Sequence, residues 1–97
     1  MTNIKLVDKW KKILGLNEYR TYLDIITKEE MIEENKLAYN GVCLYCNEKK
    51  LIIIKVINPT ERTIIHELLH VKYQDYSENK IEKLTIKYMK DVKKGVI

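Results

Sequence analysis

The sequence predicts an α+β fold in one domain: a helix first, then a sheet of three strands or slightly more, then two helices. Three observations carry this expectation. Apolar residues near the start recur at helical spacing, the middle holds β-branched runs around polar turns, and helical spacing returns from Glu61 onward. At 97 residues the chain has room for one small core. It is 45% hydrophobic and 33% charged, with one proline and three glycines, a composition that folds rather than stays disordered.

Ile4 to Leu16 reads as an amphipathic helix, with Leu6, Val7, Trp10, Ile13 and Leu14 on one side and Gly15 or Asn17 to end it. It is expected to back the sheet. Arg20 to Thr27 reads as the first strand, with Tyr22, Ile25 and Ile26 as candidates for burial. Lys28 to Lys36 is open between helical turns around Met31 and Ile32, a charged loop, and an extension of the strand. Leu37 to Cys46 and Lys50 to Ile57 read as two strands joined through Asn47-Glu48-Lys49, a hairpin with a short polar loop. Leu51-Ile52-Ile53-Ile54 is apolar on both faces, which assigns it the centre of the sheet.

Asn58-Pro59-Thr60 turns the chain, and a helix is expected from Glu61 to about Gln74 with Thr60 as its N-cap. Tyr73 to Tyr76 connects it to a last helix, capped by Ser77 and running to about Lys94, where Gly95 breaks it. Ile81, Leu84, Tyr88 and Val92 form its apolar stripe.

Inside the penultimate helix stands His66-Glu67-Leu68-Leu69-His70, which fits H-E-x-x-H and contains both histidines of the chain. Residues four apart share one helix face, so both imidazoles can reach one Zn²⁺ at about 2.0–2.1 Å. Ile64, Ile65, Leu68, Leu69 and Val71 make an apolar arc that points away from them. A pair of structural core histidines would share that arc. Glu67 follows the first imidazole directly and is placed to take a proton from metal-bound water and hand it to a leaving amine.

A catalytic zinc takes three protein ligands and a water. With no further histidine, the third is a carboxylate or a cysteine. On a last helix running back antiparallel, Glu82 comes level with the histidine pair, one turn or roughly 5–6 Å beyond Glu78. Glu82 is therefore preferred, with Glu78 as the alternative. Cys43 and Cys46 form a single C-x-x-C on a strand, where residues three apart point to opposite faces; two buried or half-buried thiols are expected over a disulfide or a redox pair. A free hairpin edge bordering the cleft would accept a peptide as an added strand.

Charge and hydropathy exclude other classes. The net charge is +4 and the pI near 9.0. The lysines are interspersed with glutamates, however, and arginine occurs only at Arg20 and Arg62, so a solvated surface is expected and no nucleic-acid partner. Met1 to Gly15 lacks the continuous apolar run of a secretory signal, and Leu51 to Ile54 falls far short of a membrane span. A soluble, cytoplasmic protein without a membrane partner is expected.

The order His66-Glu67-Leu68-Leu69-His70, short connection, Glu82-Lys83-Leu84-Thr85 resembles the gluzincin metallopeptidases. In that group H-E-x-x-H is followed by a helix bearing a glutamate ligand with a small residue three positions later. Thr85 fits that place after Glu82, whereas Ile81, three after Glu78, does not. Many gluzincins have an aspartate one residue further on, where this chain has Ile86. The whole chain looks like a minigluzincin, a compact soluble relative of thermolysin.

The resemblance implies a zincin-like domain with a helix-backed sheet, an active-site helix and a glutamate helix. It also implies a zinc cofactor and a peptide or protein substrate. It further implies latency, in which a C-terminal segment of about residues 86–97 covers the cleft, within one molecule or between two as a homodimer. The expected function is thus a zinc-dependent metallopeptidase isolated as a latent zymogen. The alternative is a non-catalytic zinc-binding protein-interaction module.

Overall fold

The computed structural model describes residues 3–33 and 41–95. The expected start of the second strand at Leu37, the stretch from Glu34 to Lys36 and the terminal Val96-Ile97 lie outside the described residues. Helix α1 (Asn3–Leu14) ends in a Schellman turn: Leu16 N–H donates to Lys11 O at 2.8 Å, and Gly15 takes a φ of 73°. That left-handed conformation is open to glycine and strained for a side-chain-bearing residue. The chain continues through strand β1 (Arg20–Ile25) and a short helix α2 (Lys28–Glu33), so the described part of the segment left open among three readings is helical.

Strands β2 (Gly41–Cys46) and β3 (Leu51–Val56) complete a three-stranded sheet in the order β1-β3-β2. β3 is central, parallel to β1 and antiparallel to β2. Its burial alternates. Ile52, Ile54 and Val56 are fully buried, while Ile53 on the other face is only partly covered. The register places Tyr22 and Leu44 beside Ile53, and these are 51% and 47% exposed.

The expected burial of Tyr22 and Ile25 is therefore corrected. Leu23, opposite Ile54, is the β1 residue that packs on the core. Ile25 faces the same way but sits at the open end of the edge strand, 58% exposed. In a strand the side-chain period is two, so pairing with β3 decides which β1 residues turn inward.

Helix α3 (Glu61–Lys72) lies across β2 and β3 and is flanked by α1 and by α4 (Glu78–Lys93). Both sequence-predicted caps form: Thr60 Oγ1 accepts from Thr63 N–H, and Ser77 Oγ accepts from Lys80 N–H. The core joins Trp10 and Leu14 of α1, Ile52 and Ile54 of β3, Ile64, Leu68 and Leu69 of α3, and Ile81 of α4. Among the described residues, no helix is long and apolar enough to cross a membrane.

One polar bond locks α1 to the start of α3. Fully buried Trp10 donates its Nε1–H to Glu61 Oε2 at 2.9 Å, and Lys9 Nζ reaches the same oxygen at 3.2 Å. The indole bond, then the lysine, hold the Glu61 carboxyl below its ordinary range. Replacing Glu61 with Ala leaves a buried indole N–H without a partner, and a loss of about 1–3 kcal/mol is expected. Glu61→Gln keeps an acceptor and should lose less. Urea titrations followed by tryptophan emission check both.

Candidate metal centre

The outward face of α3 carries the two histidines one turn apart. Their rings meet edge to face with centroids 5.0 Å apart, and the two Nε2 atoms lie 3.3 Å from each other. Helix α4 starts after a short connection, and its first residue, Glu78, reaches between them. Glu78 Oε2 is 3.0 Å from His66 Nε2, and Oε1 is 2.8 Å from His70 Nε2. One donor atom from each of His66, His70 and Glu78 falls within 4.8 Å of the others.

This donor set fits a zinc ion. Ligand atoms about 2.0–2.1 Å from a tetrahedral ion lie roughly 3.3 Å from one another, and two imidazole nitrogens with a carboxylate oxygen suit Zn²⁺ chemically. Burial holds His70 below the ordinary histidine range, with Glu78 opposing and His66 adding to the shift. The neutral form that results is the one that binds metal.

Glu82, preferred on sequence as the third ligand, sits elsewhere. It lies behind His66, with Oε2 3.0 Å from Nδ1, and it is paired with Arg62. The alternative, Glu78, is the carboxylate brought to the Nε2 pair. Height along the helix pointed to Glu82, but rotation about the helix axis decides. At 100° per residue, Glu78 lies about 40° from the mean direction of Ile81 and Thr85, and Glu82 about 80°. Ile81 and Thr85 are both fully buried, so their direction is the one in which α4 meets the core.

Glu67 turns from the histidine face toward β2 and is only 6% exposed. Its carboxyl is pushed up to about 7, mainly by burial, with Glu78 reinforcing and His66 opposing. A carboxyl titrating near neutrality suits both accepting and returning a proton. The wall it faces begins at Gly41, where a Cβ would come within 3.1 Å of Glu67 Oε2 and of Val56 Cγ1. Gly41 was not singled out by sequence reasoning. A glycine in a strand often marks such a close approach, which was the available signal.

Cys43 lies on the same face of β2 as Gly41, and Cys46 lies on the opposite one. Both are free thiols. Burial, with the Glu67 charge adding to it, pushes the Cys43 thiol up to about 12, so it stays protonated and is a poor metal ligand.

The cleft over the metal group runs between β2 and the first turns of α4, with α3 as its floor. Among the described residues, none beyond Glu82 borders it. Tyr88, Met89 and Val92, in the segment to which the resemblance gave a covering role, pack instead against the core. No protein-family model, no curated protein and no solved structure matches this chain.

Proposed function

We propose that the chain is a zinc-dependent metallopeptidase, with His66, His70 and Glu78 holding the metal and Glu67 moving the proton. The observation that carries this reading is the convergence of two imidazole nitrogens and a carboxylate beside a second carboxyl that burial holds near neutrality. A bound zinc ion supplies Lewis-acid polarisation of the peptide carbonyl and makes water a stronger nucleophile.

The residues of the chain supply the rest. Glu67 accepts a proton as the water oxygen adds to the carbonyl carbon. It then delivers that proton to the peptide nitrogen as the C–N bond breaks, and the remaining water proton passes from the new carboxylic acid to the amine, leaving a carboxylate and an ammonium group. Among the described residues β2 is an edge strand; its outer side borders the cleft and can hold an extended peptide through its backbone N–H and C=O groups. Two unbridged cysteines suit a reducing, cytoplasmic setting.

Metal content and peptide hydrolysis test the proposal together. About one zinc per chain is expected, lost or much weakened in His70→Ala and Glu78→Ala. A peptide library should be cleaved by the wild type and spared by Glu67→Gln, which keeps its zinc. Bound zinc without hydrolysis in the wild type would favour a non-catalytic zinc-binding interaction module. Absence of zinc after reconstitution would overturn the reading.

A further inference from the structure

We propose that Arg62 and Glu82 act as a positioning pair for the metal centre, holding His66 in the tautomer and ring orientation that directs Nε2 at the metal. This rests on the zinc reading above. A neutral imidazole carries one N–H, and whichever nitrogen holds it leaves the other as the ligand. Carboxylate oxygens stand 3.0 Å from both ring nitrogens, Glu82 Oε2 at Nδ1 and Glu78 Oε2 at Nε2, so without metal either can hold the proton. A metal held by Glu78 and His70 takes the Nε2 side, and Glu82 then accepts from Nδ1–H. In that tautomer the lone pair is on Nε2, the atom that shares the metal group with His70 Nε2 and Glu78.

Arg62 completes the arrangement from the other side. It lies one helical turn before His66 on the same face of α3, and its guanidinium bonds the other oxygen of Glu82, Oε1. Each Glu82 oxygen thus has its own partner, and the carboxylate is held between two helices. Both oxygens are engaged away from the Nε2 group, by Arg62 and by His66 Nδ1. Glu82 serves the centre from outside it, as carboxylates behind metal-bound histidines do generally.

An exposed ion pair is the rival explanation. The Arg62 and Glu82 side chains are 57% and 37% exposed, and such a pair contributes little to fold stability. Stability measurements therefore do not separate the two accounts. Metal binding does.

The test measures zinc affinity by chelator competition, and the visible spectrum of the cobalt-substituted protein, in five chains. These are the wild type, Glu82→Ala, Glu82→Gln, Arg62→Met and Glu78→Ala. Glu82→Ala should bind zinc about 10–100-fold more weakly while keeping the wild-type cobalt band. Glu82→Gln, whose amide oxygen can still accept from Nδ1–H, should recover most of that loss. Arg62→Met should fall between it and the wild type. Glu78→Ala should change the cobalt band itself, as loss of a ligand does.

Three results would overturn the assignment. A cobalt band altered in Glu82→Ala and not restored in Glu82→Gln would make Glu82 a ligand. Unchanged affinity in both Glu82 variants would reduce the pair to a surface contact. A wild type that binds neither metal would remove the zinc reading itself, and this assignment with it.

Discussion

Replacing Glu67 with Gln should stabilise the metal-free protein at pH 8, and the gain should vanish by about pH 4. The folded chain raises the Glu67 carboxyl from 4.5 to about 7, chiefly by burying it. Between those values the folded state holds a proton that the unfolded state releases. Stability is therefore fully present below the lower value and declines as pH rises toward the upper one. The gap corresponds to about 3 kcal/mol. That is a large share of the roughly 5–15 kcal/mol that holds a small domain folded.

Glutamine has the same shape without the charge, so it escapes the penalty at high pH and resembles the protonated acid at low pH. Urea titrations at the two pH values, with chelator present, give the difference directly. The same substitution should lower peptide hydrolysis by about 10²- to 10⁴-fold with zinc retained, since no group remains to take the proton. A variant equal to the wild type in stability at both pH values would mean that the carboxylate is not confined as described. Stability gained and turnover lost at one residue is the pattern of a group kept in an unfavourable place for its chemistry.

The frame around that residue was legible because it rests on local signals. Thr60 and Ser77 announce their helices by capping chemistry, and the His66–His70 spacing fixes a shared face within one helix. The central place of β3 followed from its unbroken apolar run. What the sequence hid depends on how separate segments meet. Tyr22 and Leu23 are equally apolar, and only the parallel register with Ile53 and Ile54 turns Leu23 inward. Glu78 and Glu82 share one helix and differ by a rotation that only the packed core reveals. Gly41 matters because a carboxylate from α3 stands against it, and Arg62 because α4 brings Glu82 within reach. A glycine in a strand hints at a close approach without saying what approaches, and nothing local to Arg62 carries its role.

Removing residues 86–97 should unfold much of the protein rather than release activity. The resemblance gives this segment the role of a cover, to be lifted by trimming. In the fold, Tyr88, Met89 and Val92 pack against the core, and the Tyr88 ring meets fully buried Trp10 edge-on at 6.3 Å. Losing three partly buried side chains of this size is expected to take away about 3–5 kcal/mol, again a large share of a small domain's stability. The remnant of α4, Glu78 to Thr85, would be a short helix with little independent stability, yet it carries both Glu78 and Glu82. Weakened zinc binding should therefore accompany the fall in melting temperature, with Trp10 emission shifting red as its shelter opens. A chain ending at Thr85, compared with the full chain by melting, zinc affinity and peptide cleavage, separates the two roles. A cover predicts an unchanged melt and a gain in cleavage. A structural brace predicts losses in all three measurements, the outcome expected from the packing of Tyr88, Met89 and Val92 on the core.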